Sequence, residues 1–392
     1  MRTVYFDNSA TTPLLPEVKD AMCKAMEMYG NPSSLHDMGV DAEKAVSDAR
    51  RTILASIGVR AVGKISERRL IFTASGTESD NLALIGTASA KNFGEGKKII
   101  VSDSEHPAVL EPAAILEKRG FNVIRVPTQN GIPDYDMIER EADKSTVLAS
   151  FMTVNNETGA VYDTSRISRI IKAANPDALM HTDCVQAYMK LPISERSTGA
   201  DLISLSAHKI GGPKGVGALL VTEEILKKRQ LSPIIFGGGQ ESGMRSGTEN
   251  LLGIIGFGAA VKTGMAHISE NLANESALRT YLIEKLSDTE RFMGVKLNLP
   301  EKCAPHIISI TLPNIKSETA LHCLSRDGVY VSSGSACSSN TGHGSYVLRA
   351  FGLTDREADC TIRVSLGPQN TVGDADVFLA SLEKALKTLV RI

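Results

Sequence analysis

The chain has 392 residues, of which 42% are hydrophobic and 22% are charged, as in ordinary soluble globular proteins. This length predicts roughly two or three domains. The net charge of −2 gives no strong electrostatic attraction to nucleic acid or to anionic membranes, so we predict neither as a partner. The N-terminus lacks the charged start and apolar stretch of a signal peptide, and no segment offers the roughly 18 apolar residues that span a bilayer. We therefore expect a cytoplasmic location.

Cysteine usage predicts free thiols and no metal site. The chain contains no CxxC pair, and its cysteines have neither the spacing of a disulfide framework nor that of a zinc site. Most of them are expected to be small, buried, apolar residues. The cysteines are Cys23, Cys184, Cys303, Cys323, Cys337 and Cys360.

Strand-like and helix-like segments alternate through the first two thirds of the chain. This alternation predicts an α/β domain with a mostly parallel central sheet and helices on both faces. Ligands bind beyond the carboxyl ends of such strands, where polar residues cluster in this sequence. The predicted strands cover 98–102, 122–127, 146–154, 179–183, 202–206 and 217–222, and two of the predicted helices cover 108–119 and 164–174.

The pattern changes after about Gly253. A long helical pattern, broken by polar turns, extends from 255 to 287, and short strand-like segments follow at 307–312, 328–332 and 361–366. An amphipathic segment at 373–390 predicts a closing helix. We expect a smaller α+β domain that the long helix joins to the first.

Two polar residues follow successive predicted strands. Lys209 comes after 202–206 and precedes a glycine-rich turn, where an amine nucleophile can meet a bulky ligand. Asp183 ends the preceding strand, where a carboxylate can pair with a protonated ring nitrogen. Alone, Lys209 would be a solvated loop residue and Asp183 a helix N-cap. Together, at neighbouring strand ends, they favour a cofactor enzyme.

Three further strand ends add weaker signals. The turn at 73–81 opens a helix with small residues, which suits either phosphate binding or an ordinary capping box. His106 can stack on a flat ring and move protons near neutral pH, although a lone histidine is more often structural. Asn156 offers an amide group, and Gln186 can donate from the same side as Asp183.

Cys337 lies in a small, polar, glycine-rich segment at 332–344. A thiol in such a loop is available for chemistry, whereas a thiol within an apolar helix is not. A catalytic cysteine and an incidental surface cysteine are equally compatible with this pattern.

Taken together, these motifs resemble the cysteine desulfurases of the NifS/IscS type, in the class V aminotransferase group of fold-type I pyridoxal-phosphate (PLP) enzymes. The resemblance extends over nearly the whole chain. Its motifs lie at 5–13, 30–34, 76–81, 105–106, 154–157, 206–209, 243–248, 332–338 and 362–367.

The resemblance implies a role for each residue around the cofactor ring. Lys209 would hold PLP and later move the substrate Cα proton. Asp183 would pair with the ring nitrogen, while Asn156 and Gln186 contact the ring oxygen. His106 would stack on the ring and act as an acid and a base.

It also implies the remaining contacts. Thr248 would reach the phosphate from a second subunit, so a homodimer is expected. Arg363, with Asn156, would bind the substrate carboxylate. Cys337 would take the substrate sulfur as a persulfide and release alanine. The other phosphate contacts would come from Gly76, Thr77, Ser206 and His208.

Fold type I implies two domains. The large PLP-binding domain would cover 15–255, and a small domain with the cysteine loop would cover 1–14 plus 256–392. A sulfur acceptor protein, either an Fe–S scaffold or a sulfur carrier, is the expected partner besides L-cysteine. Because the chain ends at Ile392, soon after its last helix, part of the tail that relatives use to dock a scaffold is expected to be missing.

Other interpretations remain. Selenocysteine lyase activity follows parallel chemistry, whereas simple transamination needs no thiol and is disfavoured. A non-enzymatic sulfur carrier need not retain Lys209, Asp183, His106 and Cys337 together. Nucleotide binding is disfavoured because GxxxxGK[ST] is absent, as is a GxGxxG after the first strand. Cys184 stands where the family usually has alanine and is expected to fill a buried space; His343 is expected to be a solvated loop residue.

Overall fold

A computed structural model describes residues 3–61, 63–90, 97–334 and 345–389. Cys337 and His343 therefore lie outside the described residues. The strands are β1 (Val4–Tyr5), β2 (Leu70–Thr73), β3 (Lys98–Ser102), β4 (Asn122–Val126), β5 (Thr128–Gln129), β6 (Ile132–Pro133), β7 (Thr146–Ser150), β8 (Leu179–Asp183), β9 (Leu202–Ser206), β10 (Gly217–Val221), β11 (Lys296–Asn298), β12 (Ile307–Thr311), β13 (Val329–Tyr330), β14 (Ser332–Ser333) and β15 (Thr361–Ser365).

A π-helical turn lies at Leu82–Gly86, and 3-10 turns lie at Ala207–Lys209 and Glu241–Gly243. The α-helices are α1 (Pro16–Ala25), α2 (Asp37–Ser56), α3 (Gly63–Glu67), α4 (Gly76–Asn81), α5 (Thr87–Ser89), α6 (Pro107–Lys118), α7 (Tyr135–Glu141), α8 (Thr164–Ala174), α9 (Glu195–Thr198), α10 (Glu223–Lys228), α11 (Leu251–Leu286), α12 (Ser317–Arg326), α13 (Tyr346–Ala350), α14 (Asp355–Asp359) and α15 (Val372–Thr388).

The larger sheet has seven strands in the order β2-β10-β9-β8-β7-β3-β4. Within it, β10 is antiparallel to both of its neighbours, and the other pairs are parallel. Every residue of β3, β7, β8 and β9 is buried, as expected for strands whose two faces are both covered. The predicted mostly parallel α/β sheet is confirmed. The carboxyl ends of β2, β3, β7, β8 and β9 therefore meet at one edge.

The smaller sheet is antiparallel and has the order β11-β12-β15-β14. On the central strand β15, Arg363 lies between Ser309 of β12 and Ser332 of β14. The N-terminal strand β1 pairs in parallel with β13. One predicted strand, 328–332, is in fact two, because β13 pairs with β1 whereas β14 pairs with β15. The predicted strand 146–154 likewise ends earlier, at Ser150.

Helix α11 is continuous over 36 residues, so the predicted interruptions by polar turns were wrong. Its central polar residues are largely exposed, and the helix contains no proline to break it. Near its start, Ile254 and Phe257 pack into the core beside the larger sheet. Near its end, Leu278 and Leu282 pack into the core beside the smaller sheet. One helix thus contributes to both hydrophobic cores.

The same helix corrects the expectation that no segment is long and apolar enough to span a bilayer. Among the described residues, α11 is long and apolar enough to cross a membrane when judged by length and composition alone. In this structure it packs against α1 and α2. Gly258 approaches α2 so closely that an added Cβ would lie 2.8 Å from Ala49 Cβ. This packing is that of a core helix.

Candidate active site

A cavity of about 340 Å³ lies beyond the carboxyl ends of β2, β3, β7, β8 and β9. This volume falls within the range of about 300–1,000 Å³ that is usual for small-molecule sites. Its walls include every predicted site residue except Cys337 and Thr248, namely Gly76, Thr77, His106, Asn156, Asp183, Gln186, Ser206, His208, Lys209 and Arg363.

Lys209 reaches the cavity from the 3-10 turn that follows β9. Its Nζ donates hydrogen bonds to the carbonyl oxygens of Ser9, at 2.6 Å, and of Ala10, at 2.7 Å. The N-terminal segment, which sequence reasoning did not assign to the site, thereby orients the amine. The motif at 5–13, part of the family resemblance, was the available signal in the sequence.

Asp183 ends β8 with only 8% of its surface exposed. Burial raises its pKa to about 6, while the Val185 N–H, which donates to Oδ1 at 2.8 Å, and the charge of Lys209 oppose the shift. Asp183 is therefore mostly ionised at pH 7 and suits a cationic partner.

Gln186 extends the same wall. Its Nε2 donates to the Ser9 carbonyl oxygen at 2.9 Å, so Gln186 and Lys209 share one backbone acceptor. Its Oε1 is buried and has no hydrogen-bond partner within the described ranges. An unsatisfied buried acceptor costs free energy, so a donor is expected to complete this wall.

Other residues of the cavity wall come from the ends of β2 and β9. Ser75 caps α4 by accepting the Glu78 N–H, and Gly76 begins the helix. A Cβ on Gly76 would lie 2.8 Å from Val185 Cγ2, so a larger residue at this position would clash with the Val185 side chain. Ser206 Oγ is buried without a partner in the described part of the chain. His208 Nδ1 lies 3.2 Å from Thr11 Oγ1.

His106 caps α6, which begins at Pro107. Its Nδ1 accepts the Ala108 N–H at 3.1 Å, so the neutral ring carries its proton on Nε2. Burial, reinforced by the charge of Lys209, lowers the pKa of His106 to about 4. The ring is therefore neutral at pH 7.

Arg363 brings the smaller sheet to the cavity. It is 5% exposed; Nη1 donates to the Asn156 carbonyl oxygen at 2.9 Å, and Nη2 contacts Asp7 Oδ1 at 3.0 Å. Its Nε has no partner among the described residues. A guanidinium held on two sides in this way is pre-oriented for a carboxylate.

Two ionisable groups, Asp80 in the cavity lining and the buried Glu105, were not predicted as site residues. Glu105 accepts hydrogen bonds from Ser102 Oγ at 2.6 Å and from the Met152 N–H at 3.0 Å. Burial raises its pKa to about 8, and both burial and Asp183 raise the pKa of Asp80. Both belong to motifs of the family resemblance, at 76–81 and 105–106, but their burial depends on tertiary packing and could not be predicted.

Glu157 was also missed as a site residue, although it belongs to the quoted motif at 154–157. It lines the cavity and accepts a hydrogen bond from Ser345 Oγ at 2.5 Å. Burial raises its pKa to about 7, whereas Ser345 and Arg363 oppose that shift.

Two residues named in the sequence analysis do not line the cavity. Thr248 is exposed and lines a separate cleft with Ala74 and Gly215, so it does not reach the cavity of its own chain. Cys184 is fully buried, and burial raises its pKa to about 12, in keeping with the predicted filler role.

Comparison with known proteins agrees with this architecture. The family model described as Aminotransferase class-V matches residues 4–378. A cysteine desulfurase IscS from Dictyoglomus turgidum is 39% identical over 391 residues, which cover 99% of this chain and 95% of the relative. A solved NifS-like protein has a TM-score of 0.89 and 35% identity, covering 99% of this chain and all of that one.

A second solved structure, described as SspA in complex with cysteine, has a TM-score of 0.79 and 31% identity over 94% of this chain and 100% of its own. Relatives of this identity and coverage share more than a common architecture. The chain is therefore a member of the class-V aminotransferase family and belongs there with the cysteine desulfurases of the NifS/IscS type.

Proposed function

We propose that this chain is a PLP-dependent cysteine desulfurase that converts L-cysteine to L-alanine and leaves the sulfur on Cys337. The Cβ–S bond of the substrate breaks, a sulfur–sulfur bond to Cys337 forms, and Cβ gains a proton. L-cysteine and a thiol thus yield L-alanine and a persulfide, with atoms and electrons in balance. The observation that carries this proposal is the convergence of Asp183, Lys209, His106 and Arg363 on one cavity.

The residues present fit PLP. Gln186 Oε1 and Ser206 Oγ are buried without partners in the described structure and belong to residues that line the cavity, so they would be available to polar groups of the cofactor. When bound, the cofactor draws electrons from the substrate and makes its carbon–sulfur bond breakable. Lys209 would hold the cofactor through its amine, and Asp183, mostly ionised at pH 7, would pair with the ring nitrogen.

Three groups of the chain would then handle the substrate. Arg363 would bind the substrate carboxylate, exchanging its contacts with Asp7 and the Asn156 carbonyl oxygen for the new anion. Lys209 would move the Cα proton. Neutral His106 would present Nε2–H to the cavity and stack on the cofactor ring.

Cys337 would attack the substrate sulfur as a thiolate. It lies outside the described residues, but the flanking residues support the assignment. Gly334 and Tyr346, on either side of that segment, both line the cavity. The relative SspA, whose solved structure is described as a complex with cysteine, supports the choice of substrate.

A homodimer is part of the proposal, with Thr248 of each chain completing the phosphate site of the other. Exposed apolar side chains support it: Tyr29 is 79% exposed, Leu35 98% and Phe236 80%. Pro32, which lies between Tyr29 and Leu35 in the sequence, lines a cleft together with Glu249, the residue after Thr248. Large exposed apolar side chains near an incomplete site are typical of an interface.

We also propose the division into a large domain, 15–255, and a small domain, 1–14 plus 256–392. Separate cores support it, since Ile100 and Ala149 belong to one and Ile308 and Val364 to the other. Pairing of β1 with β13 supports the assignment of the first residues to the small domain.

The persulfide would pass to an acceptor protein for Fe–S cluster assembly or for another sulfur-containing product. A cytoplasmic location suits this cycle, because transfer of the outer sulfur to an acceptor thiol returns the Cys337 thiol, and a reducing compartment keeps both thiols from forming disulfides.

The test is the release of sulfide and alanine from L-cysteine by the purified, PLP-loaded protein with a reductant, run beside Cys337→Ala. Equal amounts from the wild type, with both lost in the variant, are expected. PLP binding without either product would leave the cofactor assignment standing and overturn the substrate. Products that persist in Cys337→Ala would overturn the role of this thiol.

A further inference from the structure

We propose that Glu157 is a positioning residue for sulfur transfer, because its carboxyl group contacts the residues at both ends of the segment that bears Cys337. This inference rests on the proposed function and adds to it a residue for which the resemblance implied no role. Its carboxyl group lies where Gly334, the last described residue before the segment, and Ser345, the first after it, come together.

The first contact is a direct hydrogen bond. Ser345 Oγ donates to Glu157 Oε2 at 2.5 Å, and Ser345 is only 2% exposed. The same hydroxyl oxygen accepts the Leu348 N–H, so Ser345 is also the N-cap of α13. The Glu157 carboxylate thereby fixes the start of that helix.

The second contact is steric. A Cβ on Gly334 would lie 2.6 Å from Glu157 Oε2 and 3.0 Å from Leu348 Cδ1, so the backbone at Gly334 lies directly against the carboxylate. Upstream, β14 fixes Ser333 opposite Ile362 of β15. The chain therefore leaves the smaller sheet and comes at once against Glu157.

Glu157 is itself well held. It is 7% exposed, and its N–H donates to Asn155 Oδ1 at 3.0 Å. Arg363, on the strand beside β14, supplies the nearby positive charge. Glu157 follows directly after Asn156, whose carbonyl oxygen binds that arginine. The substrate-carboxylate site and both ends of the cysteine segment thus share one support.

The consequence is geometric. The sulfur-accepting thiol has to come within reach of the substrate sulfur, and small misplacements of reacting groups are costly. Releasing the ends of the segment is expected to slow sulfur transfer by roughly ten- to a hundred-fold, with little effect on the binding of cysteine.

Two variants and their matched controls test this. Glu157→Gln keeps the shape of the side chain but replaces one of the two carboxyl oxygens with an NH2 group. Ser345→Ala removes the hydrogen-bond donor. Glu275→Gln changes another buried glutamate that does not line the cavity. Thr354→Ala removes the N-cap of α14, a five-residue helix like α13, without touching Glu157.

The main measurement is persulfide formation on Cys337 in a single turnover of the PLP-loaded protein, with the cysteine concentration for half-maximal rate measured separately. Glu157→Gln and Ser345→Ala should lower the maximal rate and change that concentration less than about two-fold. The double variant should lose less than the two single losses combined, because both substitutions remove the hydrogen bond between Ser345 and Glu157. Unchanged rates, additive losses, or equal losses in the controls would overturn the proposal.

A second measurement needs neither cofactor nor turnover. Alkylation of Cys337 in the cofactor-free protein, followed by mass spectrometry of its peptide, should change in rate in both variants, while alkylation of the exposed Cys23 stays constant. If the wild type formed no alanine, the proposed function would fail while this measurement still tested Glu157. If the wild type were active and alkylation of Cys337 unaltered, Glu157 would lose its assigned role and the function would stand.

Discussion

Two groups of polar residues that are buried or partly buried differ in their relation to the proposed active site. The cavity cluster consists of Asp183, Gln186 and Lys209; the interior cluster consists of Lys190, Glu275 and His306. The interior cluster is 8%, 4% and 0% exposed, respectively.

Both clusters contain buried polar atoms without partners in the described ranges, and both have displaced pKa values. Burial lowers the pKa of Lys190 and raises that of Glu275, while each opposes the shift of the other. The cavity cluster lies at the ends of β8 and β9 and lines the cavity, whereas the interior cluster does not line it. Displaced pKa values alone therefore do not mark a functional site; a cavity beside the groups is also needed.

The largest effect should separate the two lysines. Lys209→Ala is expected to lower alanine formation more than about a thousand-fold, because the amine both holds the cofactor and moves a proton. Lys190→Met should lower it less than about ten-fold. Steady-state assays with L-cysteine, on variants whose folding is verified by circular dichroism, measure both. Equal losses would abolish the distinction between the clusters.

For the free energy of unfolding, in contrast, the larger effect should come from the substitution of Lys190. Lys190→Met leaves Glu275 buried without a compensating charge and is expected to cost about 3 kcal/mol of unfolding free energy. The double variant Lys190→Met/Glu275→Leu should recover most of that loss. Urea unfolding of the cofactor-free protein provides the values. A double variant as unstable as Lys190→Met would show that the two charges do not compensate each other.

The pH dependence of stability offers a test with a smaller effect, at the buried Glu105. Because burial raises the folded-state pKa of Glu105 from 4.5 to about 8, its contribution to stability is present at low pH and lost as pH rises through that interval. The cofactor-free wild type should therefore lose stability relative to Glu105→Gln between about pH 4.5 and 8. Unfolding at a series of pH values tests this; a constant difference would contradict it.

The smallest effect is expected at Cys184, next to the cavity cluster in sequence. Since its thiol is fully buried and its pKa is raised, Cys184→Ala should cost roughly 1 kcal/mol and leave alanine formation unchanged. Native alkylation should label Cys23 and spare Cys184. Rapid labelling of Cys184 would show that this part of the interior opens to solvent.

Much of the site was predictable from local patterns. Asp183 and Lys209 were assigned because one ends a predicted strand and the other closely follows the next, and parallel strands bring such ends to one edge. His106 and Gly76 follow the same rule. Polar residues within α11 were misinterpreted as turns, because a local pattern does not distinguish a solvated helical turn from a loop.

Other residues could not be assigned in that way. Ser9 contacts Lys209 and Gln186 across a large separation in the sequence, and Arg363 meets Asp7 across a similar one. Glu157 and Ser345 are brought together by packing between the two sheets. Such pairs can be identified only from a resemblance to a known family or from the fold itself.

The sequence by itself determined the order of strands and helices, the mostly parallel sheet and the chemical groups at its edge, because these depend on periodicities of a few residues. Tertiary structure alone decided which polar groups are buried and how their pKa values change. It also decided that one carboxylate, Glu157, supports both ends of the cysteine segment. The physical reason is that burial and charge proximity depend on distances between residues far apart along the chain.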